Sequence, residues 1–94
     1  MTKGMTKGMT FSMALEALKC GSRVHRTNWN GKTQYLELAT NVSYKNPDGV
    51  IVNQNNEDIG NRAIAFVGTR GIQVGWLASQ EDMLAEDWQV IDNG

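Results

Sequence analysis

The chain has one cysteine, Cys20, one proline, Pro47, and one histidine, His25. A lone cysteine excludes an internal disulfide and a cysteine-built metal cluster, and a lone histidine excludes a multi-histidine metal site. Cys20 falls at the end of an expected helix and reads as a small, partly buried side chain. Apolar runs reach only about five residues, far short of the ~20 that a membrane-spanning helix needs. The N-terminal region lacks the apolar stretch of a secretory signal. A cytoplasmic protein without membrane contact is therefore expected.

What is present fits one small domain. Ninety-four residues, 40% of them hydrophobic and 20% charged, are ordinary for a globular unit. A chain this short buries only roughly 60–65% of its unfolded surface, so the core is thin and association of copies would bury more. The charge is uneven. Residues 1–45 hold seven Lys/Arg against Glu16 and Glu37, whereas residues 46–94 hold Arg62 and Arg70 against eight acids. The bland explanation is complementary faces; the sharper one is a small patch of Arg23, Arg26 and Lys32 facing an anionic ligand. A duplex-binding protein would carry a larger basic excess, so the expected partner is a small phosphorylated molecule and not long nucleic acid.

The repeat Met1-Thr-Lys-Gly4, Met5-Thr-Lys-Gly8 has no apolar periodicity, and residues 1–9 are expected to be a flexible tail ahead of one ligand-binding domain over 10–94. Thr10 can cap a helix from Phe11 to about Lys19. Phe11, Leu15 and Leu18, with Ala14, form one apolar stripe, and Gly21 is placed to terminate the helix. Strands are expected at 23–26, 34–38, 50–52, 63–67 and 71–74, with turns at Trp29-Asn30-Gly31-Lys32 and Asn46-Pro47-Asp48-Gly49. Residues 53–58 read as an exposed loop. Ser79-Gln80-Glu81-Asp82 has capping-box spacing and opens a short helix to about Ala85, with Met83 and Leu84 turned inward. Asp87–Ile91 returns as a strand. The expected fold is α+β, a small mostly antiparallel sheet with an N-terminal helix and a short C-terminal helix.

The residues argue more for binding than for catalysis. No serine stands in a nucleophile-elbow context, and no glycine-rich phosphate loop is present. His25, between Arg23 and Arg26, suits a strand or a ligand contact better than a general base. Glu81, Asp82, Glu86 and Asp87 are explained by a helix start and its solvated side. Three tryptophans remain. Each could plug one end of the thin core, and Trp88 on a strand fits that role. Trp29 and Trp76 lie in loops beside Asn30, Ser79 and Gln80, and aromatic faces with nearby amides are what a purine base requires. Stacking supplies ~1–3 kcal/mol per base while nanomolar capture needs about 12, so charge-assisted bonds of ~1.5–3 kcal/mol each must contribute. Arg23, Arg26 and Lys32 are candidates for phosphates, and Asp82 for ribose hydroxyls. An enclosed pocket would need more than one subunit.

Three blocks resemble a known family. They are Thr10-Phe11-x-x-Ala14-Leu15-x-Ala17-Leu18-x-x-Gly21, Arg26-x-x-Trp29-Asn30-Gly31-Lys32, and Trp76-x-Ala78-Ser79-Gln80-x-Asp82-x-Leu84-Ala85-x-Asp87-Trp88. Together they are similar to the second of the Thoeris anti-defence families of phages, the last block being the specific one. The resemblance implies a small α+β protein that assembles as a homotetramer in the cytoplasm of an infected bacterial host. Such proteins bind, without cleaving, the cyclic ADP-ribose isomers made by bacterial TIR-domain enzymes. Some also bind cyclic dinucleotides of CBASS immunity at a separate site. Carried over residue by residue, the resemblance implies ligand contacts at Trp29, Asn30, Trp76, Ser79, Gln80 and Asp82, with Phe11 and Arg26 beside them, and no cofactor, metal or catalytic residue. A phosphodiesterase-like or other nucleotide-modifying enzyme and a protein-interaction module are the competing readings.

Overall fold

The computed structural model describes residues 8–29, 33–55 and 60–91. The expected tail falls largely on residues 1–7, outside the described residues, as do the turn residues 30–32. In chain order the elements are α1 (Phe11–Lys19), β1 (Arg23–Arg26), β2 (Tyr35–Ala39), β3 (Tyr44–Lys45), β4 (Ile51–Val52), β5 (Ala63–Gly68), β6 (Gly71–Val74), α2 (Gln80–Leu84) and β7 (Trp88–Ile91). The fold is α+β, as the sequence implies.

Helix α1 is fixed at both ends by its own residues. The Thr10 hydroxyl accepts the Met13 N–H at 3.2 Å, and the Met13 sulfur accepts the Thr10 N–H at 3.4 Å. This is a capping box with methionine where glutamate or glutamine is usual. At the other end Gly21 turns left-handed, with φ of 94°. Its N–H reaches the Leu18 carbonyl and that of Ser22 the Ala17 carbonyl, both at 3.0 Å, closing a Schellman motif. Cys20 caps this end on the surface, so the expectation of partial burial is corrected. The helix buries only its Ala14–Leu18 stripe, and Cys20 lies off it.

Five strands form one antiparallel sheet in the order β6-β5-β2-β1-β7, and β3 and β4 form a separate hairpin inserted between β2 and β5. The turn between β3 and β4 is the expected one: the Asn46 side-chain oxygen accepts the N–H groups of Asp48 and Val50 at 2.9 and 3.0 Å. Val24 pairs with Leu36, and Leu36 with Phe66, so these side chains share one face with Leu38, Ile64, Arg26 and Trp88. Helix α1 lies on that face. Ala14 and Leu18 from the helix meet Val24, Leu36 and Trp88 in a fully buried cluster. At roughly 25 cal/mol per Å² of apolar area removed from water, this contact is the main force holding helix to sheet.

After β6 the chain crosses to the opposite edge of the sheet. The N–H groups of Gly75 and Trp76 both reach the Ile64 carbonyl at 2.9 Å, which starts the crossover over the α1 side. Ser79 caps α2 through the expected box with Asp82. Met83 and Leu84, however, do not turn inward; they are 42% and 75% exposed, and α2 buries no residue. With five residues it makes little more than one turn. The crossover is anchored instead by the Trp88 indole N–H donating to the Asp82 carbonyl at 3.0 Å. Met9 exchanges both backbone hydrogen bonds with Trp88, at 2.9 and 3.1 Å, so the chain is tied to β7 before α1 begins. Gly8 lies so close to the Glu86 carbonyl that any side chain there would collide with it.

Candidate functional site

One end of the α1 face gathers both phenylalanines and all three tryptophans. Trp88 is fully buried at its base, and Trp29, Phe11 and Trp76 pack around it with ring centroids 5.4, 5.5 and 6.3 Å away. Trp29 also stands edge-on to Phe66 at 5.7 Å and to Trp76 at 6.2 Å. Edge-to-face packing is the favoured arrangement for such rings and adds about 0.5–1.5 kcal/mol per pair beyond area burial. The structure thus brings together Phe11, Trp29 and Trp76, which are distant in sequence, and adds Phe66. Trp29 and Trp76 remain half-buried at the rim. Asn30 lies outside the described residues.

Beside this cluster, Arg26 organises the crossover. Its guanidinium donates to Asp87 through Nε at 2.8 Å and through the second terminal nitrogen at 3.5 Å, and to Asp82 at 3.1 Å. Glu81 stands 3.7 Å away. Thr27 adds a hydroxyl donor to Asp87 at 2.9 Å. The hydrogen bond from Arg26 is the largest influence on the Asp87 carboxyl and holds it below the usual aspartate range; Thr27 assists. Burial pushes the Asp82 carboxyl up, but the Ser79 backbone and hydroxyl donors and Arg26 together outweigh it, leaving Asp82 below its ordinary value. The hydrogen bond to Asp87 raises the Arg26 pKa. Arg26, Asp82 and Ser79 are therefore committed to one another. Gln80, by contrast, is exposed on α2.

The expected patch of Arg23, Arg26 and Lys32 does not form among the described residues. Residues three apart on a strand point to opposite faces. Arg26 lies on the α1 face, while Arg23 is turned to the other, where it donates to Glu37 at 3.0 Å and stands 5.2 Å over the Tyr35 ring. Lys32 lies outside the described residues. Both arginines are neutralised locally.

Two open clefts flank this region. A 310 Å³ cleft at the β5–β6 hairpin is lined by Phe66, Gln34, Gln73, Arg70, Thr69 and two glycines. A 210 Å³ apolar cleft lies between α1 and the far ends of β2 and β5, around Leu15, Leu38 and Ile64. Sequence reasoning passed over the first because its residues converge only when β5 pairs with β6. The signal available was the Gly68-Thr-Arg-Gly71 turn with Phe66 and Gln73 at facing positions. Among the described residues, no group of three or more His, Cys, Asp or Glu side chains could hold a metal ion, and no helix is long and apolar enough to cross a membrane.

Comparison with known proteins agrees with the block pattern. The family model for the Thoeris anti-defense 2-like domain matches residues 9–91, beginning at the residue that pairs with Trp88 and ending with β7. A curated relative, Thoeris anti-defense 2 of Bacillus phage SP01, is 37% identical over 90 residues, covering 93% of this chain and 99% of that protein. The chain belongs to the Thoeris anti-defense 2-like family.

Proposed function

We propose that this protein is a phage immune-evasion factor that sequesters cyclic nucleotide immune signals without cleaving them. The signals are cyclic ADP-ribose isomers made by Thoeris TIR-domain enzymes and, at a separate site, cyclic dinucleotides of CBASS. It acts in the cytoplasm of the infected cell, starving the effector of its messenger. The observation that carries this reading is the convergence of Trp29, Trp76 and Phe11 at one rim in a chain of this family. Half-buried aromatics at a rim offer surface to a purine, and Gln80 is exposed on α2, four residues after Trp76. Ser79, Asp82 and Arg26 act in this reading by holding the Trp76–Trp88 crossover in place, which fixes Trp76.

The assembly is a homotetramer. Ile72, Val74, Leu77 and Leu84 are 64%, 54%, 90% and 75% exposed, a large apolar exposure for so small a domain. Neighbouring subunits would cover these residues and wall in the open clefts.

The test is to incubate purified protein with cyclic ADP-ribose isomers and cyclic dinucleotides, then follow thermal stabilisation. Stabilisation by mass action reaches about 2.7 kcal/mol at a hundredfold excess over Kd. Ligand released by heat denaturation should be intact. Recovery of a hydrolysed product would make the protein an enzyme, and no shift with any compound would favour an interaction module built on Leu77 and Leu84.

A further inference from the structure

Two of the cations that sequence reasoning assigns to phosphates are used elsewhere: Arg26 is held by Asp87 and Asp82, and Arg23 by Glu37, while Lys32 lies outside the described residues. An anionic ligand at the aromatic rim still needs a positive partner. Arg70 makes no ion pair or hydrogen bond among the described residues, and it lines the 310 Å³ cleft. Gln34 and Gln73 line the same cleft, and their carboxamides also have no partner among the described residues. The cleft shares a wall with the aromatic cluster, because Phe66 lines it while meeting Trp29 edge-on at 5.7 Å. Gly68 makes this wall possible: a side chain there would press on the Phe66 ring at 2.8 Å. The volume lies at the low end of small-molecule sites, about 300–1,000 Å³.

We propose that Arg70, with the carboxamides of Gln34 and Gln73, forms the anion-recognising end of the ligand site. It takes the phosphates of a nucleotide whose base lies against the adjoining Phe66 and Trp29 rings. A guanidinium between two carboxamides supplies a charged fork for phosphate oxygens and neutral donors to complete the shell. The assignment rests on the proposed capture of cyclic nucleotide signals and adds to it the residues that recognise charge.

The experiment is calorimetric titration of the wild type, Arg70→Gln, Arg70→Lys and Arg62→Gln with cyclic ADP-ribose isomers, ADP-ribose and AMP, at low and moderate salt. Arg70→Gln should weaken isomer binding roughly ten- to hundredfold and flatten its salt dependence. Arg70→Lys should keep more of the affinity than Arg70→Gln, and Arg62→Gln, outside this cleft, should bind as the wild type does. Arg70 sits at a two-residue hairpin tip, and unchanged melting of each variant separates binding from folding. Unaltered isomer affinity and salt dependence in Arg70→Gln would overturn this assignment and leave the sequestration reading standing. A wild type that binds AMP or ADP-ribose through Arg70 but no cyclic isomer would support the cleft and overturn sequestration of cyclic ADP-ribose isomers. A wild type that binds none of these compounds overturns both this assignment and the sequestration of cyclic ADP-ribose isomers.

Discussion

Arg26 and Asp87, 61 residues apart in sequence, meet through a 2.8 Å hydrogen bond that closes the crossover onto the end of β1. The same guanidinium holds Asp82, whose backbone carbonyl receives the Trp88 indole. One arginine thus connects a strand end, a helix cap and the largest core side chain.

Replacing Arg26 with Ala leaves two acceptors facing each other without their donor. Stability should fall by about 1–3 kcal/mol, read from the midpoint of urea unfolding. Arg26→Lys should recover little of it, because a point charge cannot fork between Asp87 and Asp82.

Stability should fall in two stages as pH is lowered. Burial lowers the His25 pKa from 6.5, and its Nδ1 is buried with no hydrogen-bond partner among the described residues. The fold thus prefers neutral His25, and the stability this preference provides is full above pH 6.5 and lost as pH falls through the lowered value. Asp82 and Asp87 are depressed from 3.8, so their contribution is full above 3.8 and lost as pH falls further through the lowered values. Chemical denaturation across pH should show both declines. His25→Gln should remove the first alone, and Asp87→Asn should weaken the second.

Gly8→Ala should force the N-terminal segment off the Glu86 carbonyl and break the Met9–Trp88 pair. A cost of about 1–3 kcal/mol is expected for such overpacking, with a lower Tm and faster amide exchange at Met9 and Trp88. An unchanged exchange rate at both amides would contradict the pairing.

Ile72→Lys combined with Val74→Lys places two charges on the exposed face of edge strand β6. If subunits meet there, light scattering should show a smaller assembly while circular dichroism stays the same. A tetramer that survives both lysines would move the interface to Leu77 and Leu84.

The local rules of helix ends and turns were legible in the sequence. Thr10 and Gly21 bound α1, Asn46 to Gly49 make the turn, and Ser79 with Asp82 caps α2, because each of these depends on residues within a few positions. The strands β1 and β6 were read to the residue for the same reason. Two-residue β3 was missed because it has no period to detect. Met83 and Leu84 misled because their apolar character suggested burial, whereas the crossover is held by polar bonds and leaves them outside. The separation of Arg23 from Arg26 could have been read from strand alternation, but their neutralisation could not. Glu37 and Asp87 reach them only through long-range pairing. The cleft around Arg70 was hidden likewise, since Phe66 and Gln73 face each other only across the β5–β6 ladder.

The antiparallel pairing of β1 with β7 joins an early strand to a late one. Trp88, the largest fully buried side chain, therefore reaches the core only after nearly the whole domain has been synthesised. A nascent chain emerging from the ribosome would hold α1 against an incomplete sheet until its final strand clears the exit tunnel. Contacts of such long sequence separation slow folding. Completion of this domain thus waits until Trp88–Ile91 have been synthesised and can pair with Arg23–Arg26.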